Sequence, residues 1–365
     1  MIAIPAAAAA DSPLRRDIER QPALLAALRT RASAFLAVGE RTLRPGPGGR
    51  IFVTGCGDGY FAAVAAQAVA ERAGLDWRPI GALDLVLTAQ RLTPADRVIA
   101  ISMSGNVDRT VEAAFAVRAA GTPLFALVNG PDGGRLGQVA GTRLSLELED
   151  IAPFLCGTAS YTATLFALML LAHGAGHGEP PDAEALVIAQ QSALKVSDKV
   201  LPRIGLPGGV RLLSAGAERG TVAYGAAKLV ELTRIPAWSG DLEEFAHSQY
   251  WSMPATDLLV LVATQPMLAR YADDACAALR ELGVVTLAID TPASPVPQAS
   301  HRITLPLDDA ALAPLATALP LQLLAATLAR ASGLDPDTRA HLKSDATRFR
   351  VSRLLTRRSL LGTGG

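Results

Sequence analysis

This sequence has few cysteines and few aromatic residues, and neither sign of charge is in excess. The three cysteines, Cys56, Cys156 and Cys276, stand far apart in a chain of 365 residues. They form neither a disulfide framework nor a metal-binding spacing, which favours a reducing, cytoplasmic setting. Lysine plus arginine number 34, and so do aspartate plus glutamate. The molecule as a whole therefore does not attract nucleic acid, and any anion site must be local.

Long hydrophobic runs are also missing, which argues against a membrane protein. Residues 162–172 are too few to span a bilayer, and residues 312–329 contain Pro314, Pro320 and Gln322, so both stretches predict buried core helices. Residues 1–10 are rich in alanine but lack a basic start, so we expect no secretory signal. Half of all residues are hydrophobic, enough for two domains with their own cores.

One stretch predicts a binding turn. A β-branched run at 97–101 ends in Ser102-Met103-Ser104-Gly105-Asn106, and a helical pattern follows at 107–120. Such a strand, tight turn and helix N-terminus offers free N–H groups and a helix dipole that favour an anion. The Ser102 and Ser104 hydroxyls add donors, and Gly105 allows close backbone approach. We interpret the turn as a cradle for a sugar phosphate; the alternative is an ordinary strand–helix turn with a serine cap.

Strand and helix patterns alternate along the chain and then start again. Residues 210–214, 215–217 and 219–233 repeat the order of strand, small-residue turn and helix, which indicates an internal duplication. The sequence therefore predicts an α/β protein with two doubly wound, mostly parallel sheets in three-layer, Rossmann-like or flavodoxin-like domains. The predicted strands are 51–54, 97–101, 123–129, 143–146, 210–214, 257–263, 284–289 and 301–305. The predicted domains are a helical lead-in at 1–46, a first domain at 47–175, a second at 183–335 and a tail at 336–365.

The pattern resembles the SIS (sugar isomerase) fold, present twice between about residues 51 and 348. The run 102–106 resembles the family's phosphate loop, Ser-x-Ser-Gly followed by Glu or Asn, in the Asn form of the deaminase and deglycase branches. Cys156-Gly157-Thr158-Ala159-Ser160 resembles the segment that leads into the last helix of the first domain. The resemblance implies a substrate-binding set made of these residues: Gly55, Gly57, Ser102, Ser104, Gly105, Asn106, Thr110 and Ser160.

The second half carries the residues that the resemblance makes reactive. Gly225-Ala226-Ala227-Lys228-Leu229-Val230-Glu231-Leu232 resembles a family helix, which assigns to Glu231 the transfer of a proton between C1 and C2. Asp241-Leu242-Glu243-Glu244-Phe245-Ala246-His247 resembles a loop whose histidine, here His247, opens the sugar ring. His341-Leu342-Lys343-Ser344 resembles a C-terminal segment whose lysine, here Lys343, meets the open-chain carbonyl.

Each of these residues also has an ordinary structural explanation. Glu231 could form a helix-surface ion pair with Lys228 or Arg234, three residues away on either side. His247 could be a loop histidine satisfied by polar neighbours, and Lys343 a solvated lysine in a basic tail. In the same neighbourhood His341 is a weaker candidate than Lys343. Tyr250 and Trp251 could line a sugar pocket or belong to a core or interface.

Some positions depart from the family pattern. Gly57 stands where the family offers a hydroxyl, Met103 where it has a polar amide, and Val107 where it has a threonine. We therefore expect the anion to be held more by backbone N–H groups, or to be something other than an ordinary phosphate. The run of glycines at 55–59 resembles a dinucleotide loop, but its third glycine comes early and no acidic strand end follows. We expect no NAD, no metal and no other cofactor.

The resemblance implies a phosphosugar enzyme. It would interconvert an aldose and a ketose, or remove an amine from an amino sugar or fructosamine, by enediol-type proton transfer. It also implies a cytoplasmic homodimer in which the His247 loop reaches the partner's site. The alternative is a non-catalytic regulator that senses a sugar phosphate. Residues 13–42 are not strongly basic, so a DNA-reading segment is not expected.

Overall fold

Strands and helices alternate through the first half of the chain in the computed structural model, which describes residues 12–178 and 180–356. The predictions for residues 1–10 and for the end of the tail lie outside these described residues. The elements of the first half are α1 (Pro13–Glu19), α2 (Gln21–Thr30), α3 (Ala32–Val38), β1 (Ile51–Gly55), α4 (Asp58–Ala65), α5 (Gln67–Arg72), β2 (Trp77–Gly81), α6 (Ala82–Thr88), β3 (Arg97–Ile101), α7 (Asp108–Ala119), β4 (Leu124–Val128), α8 (Gly134–Ala140), β5 (Thr142–Ser145) and α9 (Ala159–Ala175).

The second half repeats the alternation and adds short helices at its end. Its elements are α10 (Ala183–Val200), β6 (Val210–Ser214), α11 (Glu218–Thr233), β7 (Ala237–Asp241), α12 (Leu242–His247), β8 (Leu258–Ala263), α13 (Pro266–Arg280), β9 (Val285–Asp290), β10 (His301–Thr304), α14 (Pro314–Ala331), α15 (Ala340–Lys343) and α16 (Ala346–Thr356).

The two sheets have the same topology. The first has the strand order β2-β1-β3-β4-β5, and the second, counted from the matching edge, β7-β6-β8-β9-β10. Neighbouring strands are parallel in both sheets. The predicted fold class, two doubly wound parallel α/β sheets, is confirmed, and so is the duplication. This is the flavodoxin-like order, whose ligand crevice lies at the carboxyl ends of the first and third strands.

All eight predicted strands are present, but two strands were not predicted. These are β2 and β7, which lie at equivalent edges of the two sheets. Pro79 in β2 and Gly240 in β7 read as turn residues rather than as strand residues. An edge strand pairs on one side only, so a proline without an N–H is tolerated there.

The chain divides into two compact units, and neither is continuous in sequence. The first-sheet unit comprises the described residues within Leu28–Asp150, Ala163–Pro181 and Leu342–Gly365. The second-sheet unit comprises those within Met1–Ala27, Ile151–Thr162 and Asp182–His341. These units differ from the predicted boundaries, which run continuously along the chain.

Polar contacts to α1 and α2 explain why residues 151–162 join the second-sheet unit. The Thr158 hydroxyl and the Ala159 N–H both donate to the Asp17 carboxylate, the latter over 3.0 Å. The Thr162 hydroxyl donates to Gln21, whose amide donates in turn to Gln322 of α14 over 2.6 Å. Buried side-chain hydrogen bonds of this kind fix a segment more firmly than its position in the sequence suggests.

Each sheet is covered by apolar helix faces. In the first-sheet unit, β3 and β4 are buried almost throughout and pack against α7 through Val111 and Val117. Strands covered on both faces read as continuous hydrophobic runs, which is how they were predicted. In the second-sheet unit, α14 is buried on nearly every side, which confirms a core helix at 312–329. No helix of the described residues is long and apolar enough to span a membrane.

One buried carboxyl group stands at the carboxyl end of the second sheet. Glu218 begins α11, and its side chain is buried against α14 and the end of β8. Thr317 Oγ1 lies 2.9 Å from Oε2, and Thr264 Oγ1 lies 3.5 Å from Oε1. Burial raises the pKa of Glu218 from 4.5 to about 7, because the apolar surroundings disfavour the charged form.

We expect this carboxyl to make the stability of the protein depend on pH. The folded state holds a proton that the unfolded state releases above pH 4.5, so the free energy of unfolding falls as pH rises from 4.5 to 7. This dependence lowers the free energy of unfolding of the wild type by up to about 3 kcal/mol at pH 8, and Glu218→Gln removes it. Denaturant unfolding at pH 5 and pH 8 measures it, with the exposed Glu281→Gln as control. Parallel pH profiles for wild type and Glu218→Gln would show that the carboxyl is already ionised.

Candidate active site

The first sheet brings two predicted turns to its ligand crevice. β1 and β3 are neighbours, while β2 and β4 extend the sheet on opposite sides, so the direction of the strand order changes between them. β1 ends at Gly55 and β3 at Ile101. The turn that contains Gly57 and the turn at 102–106 therefore leave the sheet side by side.

The turn at 102–106 is tightly braced, and Gly105 is the residue that allows it. Gly105 has φ +66°, and a Cβ added there would lie 2.0 Å from the Gly133 carbonyl oxygen. Its N–H donates to the Ser102 carbonyl over 2.9 Å, and its own carbonyl accepts the Leu136 N–H over 2.9 Å. Only glycine fits this conformation and this close backbone approach.

The two serines of the turn are in different situations. Ser102 is 4% exposed, and its hydroxyl has no hydrogen-bond partner among the described residues. A buried hydroxyl without a hydrogen bond is energetically unfavourable. A ligand that pairs with Ser102 Oγ removes this penalty, which favours its binding. Ser104 is exposed, and its Oγ accepts the Asn106 N–H over 3.2 Å.

Asn106 braces the turn with its side chain. Its Nδ2 donates to the Ser104 carbonyl over 2.8 Å, and its Oδ1 accepts the Arg135 N–H over 3.2 Å. The Arg135 guanidinium donates to the Asn106 carbonyl over 2.7 Å and pairs with Asp108 at the start of α7. A cation therefore lies against the turn, although sequence reasoning did not single it out.

Thr110 ties the two turns together. It is fully buried on α7, and its hydroxyl donates to the Cys56 thiol over 3.6 Å. The φ of Gly57 is +55°, and a Cβ added there would meet nothing within 4 Å, so its conformation rather than crowding favours glycine. The structure thus groups seven of the eight predicted binding residues around one crevice. The eighth, Ser160, lies half-buried in the first turn of α9 and belongs to the second-sheet unit.

Glu231 lies on α11 beside a buried lysine. The Lys228 ammonium donates to both carboxylate oxygens, at 3.0 and 3.1 Å. The ion pair with Lys228 that was considered as an alternative is therefore present, but the Lys228 side chain is only 3% exposed, whereas Glu231 is 36% exposed. The Lys228 ammonium also lies 5.4 Å from the centre of the Tyr224 ring, a distance typical of a cation–π contact.

A second cation, Arg339, approaches the same carboxylate. Its Nη1 lies 3.4 Å from Glu231 Oε2, and its Nε donates to the Phe154 carbonyl over 2.8 Å. The His341 ring lies within hydrogen-bonding distance of the Glu231 main-chain carbonyl, with Nε2 at 3.0 Å. Sequence reasoning missed Arg339; the signal available was a basic residue just before Lys343 in the C-terminal segment.

His247 is the last residue of the short helix α12, so the loop expected around it is helical. The Asp241 carboxylate caps this helix by accepting the Glu243 N–H over 2.9 Å. His247 Nε2 lies 2.9 Å from Glu243 Oε1, and the ring is 69% exposed. Hydrogen bonds from Tyr271 and then from His247 lower the pKa of Glu243, since both favour the charged carboxylate.

Near α12 the second-sheet unit has an open cavity of about 560 Å³, lined by residues that include Arg219, Asp241 and Glu243. Tyr250 and Trp251, the aromatic residues that could line a sugar pocket, lie just beyond α12, in the turn Gln249–Ser252. Their rings are 4.8 Å apart, and Trp251 is 80% exposed. An aromatic ring so exposed is free to contact a ligand or a second protein surface.

Lys343 ends α15 and has an exposed side chain. It belongs to the first-sheet unit, whereas Glu231 and His247 belong to the second-sheet unit. Among the described residues, no group of three or more His, Cys, Asp or Glu side chains is arranged to hold a metal ion.

Comparison with known proteins adds four findings. Residues 47–174 match the model of the SIS domain. The chain is 26% identical over 322 residues, or 82% of its length, to a glutamine–fructose-6-phosphate aminotransferase [isomerizing] from Gloeobacter violaceus, and it spans 52% of that relative. A glucosamine-6-phosphate deaminase from Thermotoga maritima superposes with a TM-score of 0.74 at 17% identity, covering 89% of this chain and 97% of its own. A tagatose-6-phosphate ketose/aldose isomerase from Escherichia coli gives 0.73 at 21% identity, with coverages of 92% and 97%.

Proposed function

We propose, from the SIS domain that this chain carries at residues 47–174, that the protein acts on open-chain phosphosugars. The reaction is aldose–ketose isomerisation, or the removal of an amine from an amino-sugar phosphate, by enediol-type proton transfer. The observation that carries the proposal is the Glu231 carboxylate, which is partly exposed yet held at 3.0 Å by a buried lysine. The names of the relatives, an isomerizing aminotransferase, a deaminase and an isomerase, support the same chemistry.

The turn at 102–106 holds the anionic head of the substrate in this proposal. The unpaired Ser102 hydroxyl and the first N–H groups of α7 supply the donors, and the helix dipole favours the negative charge. Arg135, anchored on the Asn106 carbonyl, adds a positive charge next to the turn. Thr110 and the glycines at 55 and 57 shape the other side, and Ser160 contacts sugar hydroxyls.

Glu231 moves the proton between C1 and C2. A base must reach carbon-bound hydrogens, and the exposed part of its side chain makes this feasible. The carboxylate takes a proton from one carbon and delivers one to the next, so no net proton is gained or lost. Because Glu231 is 36% exposed, the proton on its carboxyl group exchanges with solvent between the two steps. The ammonium of Lys228, at 3.0 Å, offsets the negative charge that develops on the enediol oxygens.

His247 and Lys343 prepare the substrate. With Nε2 of His247 directed at Glu243, the doubly protonated ring can give its Nδ1 proton to the ring oxygen during opening. Lys343 polarises the open-chain carbonyl, or condenses with it to an imine with loss of water. We further propose a cytoplasmic homodimer in which His247 serves the partner's site. The exposed apolar side chains of Leu83, Leu87 and Phe115 support a subunit contact.

A panel of sugar phosphates separates this proposal from the sensor alternative. We expect turnover of at least one hexose, pentose or amino-sugar phosphate in a coupled assay, and a rise in melting temperature with the same compound. A compound that raises the melting temperature without any turnover would favour a sugar-phosphate sensor. No thermal shift and no turnover with any member would contradict both functions.

A further inference from the structure

Three residues with strained backbone lie in the segments that Arg339 and α11 join near Glu231. Phe154, Arg234 and Arg339 have φ values of +66°, +59° and +49°, which non-glycine residues rarely adopt. In the second-sheet unit these are the non-glycine residues with positive φ among the described part of the chain. Such backbone conformations are energetically unfavourable. They persist only where surrounding contacts over-determine the conformation, and functional sites are where this usually occurs.

Arg339 makes contacts with two separate segments. Its Nε donates to the Phe154 carbonyl over 2.8 Å, and its Nη2 donates to the Leu155 carbonyl over 3.2 Å. Its Nη1 lies 3.4 Å from the Glu231 carboxylate. The guanidinium therefore links residues 154–155, α11 and its own segment.

Two further contacts hold the same segment against the end of α11. The His341 ring lies within hydrogen-bonding distance of the Glu231 main-chain carbonyl, as described above, and the Arg234 guanidinium donates to the His341 carbonyl. Arg234 itself ends α11 in the left-handed conformation. Side-chain contacts thus run in both directions between α11 and residues 339–341.

We propose that Arg339 is a positioning residue for Glu231. It fixes the carboxylate against Lys228 on one side and docks residues 335–341, which lead to Lys343, on the other. This inference rests on the proposed function, in which Glu231 transfers the proton. A planar guanidinium can bind two carbonyls and a carboxylate at once, whereas a lysine ammonium acts as a point charge without this fork geometry.

Hydrogen–deuterium exchange on the full chain tests the docking directly. In Arg339→Gln we expect amides of residues 335–341 and 154–158 to exchange about tenfold faster, since the contacts that close them are lost. Arg339→Lys gives an intermediate rate. Arg270→Gln, which changes an exposed arginine on α13, serves as the matched control and leaves both segments unchanged.

Kinetics with the sugar phosphate that the wild type turns over test the catalytic part. Arg339→Gln lowers kcat about tenfold to a hundredfold, because a carboxylate displaced by an ångström loses its alignment, while KM stays within about twofold. Arg339→Lys restores part of kcat.

The exchange measurement and the kinetic measurement test different parts of the inference. Unchanged exchange in Arg339→Gln overturns the docking role. Faster exchange with an unchanged kcat shows a merely structural contact and overturns the positioning role. Absence of wild-type turnover on the whole panel overturns the proposed function and the catalytic part of this inference, whatever the exchange data show.

Discussion

Glu231→Gln is expected to lower kcat about a thousandfold while leaving ligand binding in place. Glutamine keeps the size of the side chain and can still accept a hydrogen bond from Lys228, but it cannot take a proton from carbon. The anionic head is held elsewhere in our account, by the turn at 102–106, so the thermal shift caused by the sugar phosphate should persist. Turnover and thermal shift are measured on the same preparations.

The control for this variant is Glu184→Gln, which alters an exposed carboxylate at the start of α10. It should leave both measurements unchanged. Glu231→Gln removes the carboxylate that pairs with the buried Lys228, so the melting temperature of the free protein should fall, and assays should be run well below it. A kcat within a few-fold of wild type would remove Glu231 from the mechanism.

Gly105→Ala is expected to abolish sugar-phosphate binding and to destabilise the first-sheet unit by roughly 3 kcal/mol. Two effects combine at this position. Alanine is strained at φ +66°, and its Cβ would lie 2.0 Å from the Gly133 carbonyl oxygen. The atoms that this Cβ would meet all belong to the backbone of Gly133 and Gly134, so the turn at 102–106 must move and its donors lose their alignment. Denaturant unfolding and the thermal shift with ligand measure the two consequences.

Gly121→Ala separates conformational strain from crowding. Gly121 also has a positive φ, +72°, but a Cβ there would meet nothing within 4 Å. We expect this control to lose only about 1 kcal/mol and to bind the ligand as wild type does. Equal stability losses in the two variants would contradict the steric argument, and normal binding by Gly105→Ala would contradict the role of the turn.

The fold was largely readable from the sequence because parallel sheets covered on both faces leave a strong signal. β3, β4, β8 and β9 are nearly continuous apolar runs, and each was predicted. The duplication followed from the strand, turn and helix that begin at residue 210. The two strands missed, β2 and β7, lie at sheet edges, where a strand needs fewer apolar residues and tolerates Pro79.

The candidate site was readable only where one local motif carries it. The turn at 102–106 combines a strand end, serines, a glycine and a helix start within a few residues, so local rules identify it. The only local signal for Arg339 is a basic residue shortly before Lys343, because its contacts join residues 154–155, α11 and the C-terminal segment. Asp17 and Gln21 likewise form hydrogen bonds with residues far away in the sequence, Thr158 and Thr162. Non-local side-chain contacts of this kind require the fold before they can be recognised.

The sugar phosphate turned over by the wild type provides the most direct test of proton transfer through an enediol. In deuterium oxide, we predict that solvent deuterium enters the sugar at C1 or C2, detected by NMR, and that this exchange is lost in Glu231→Gln. Turnover in which neither substrate nor product acquires deuterium at C1 or C2, or exchange that continues unchanged in Glu231→Gln, would contradict our account.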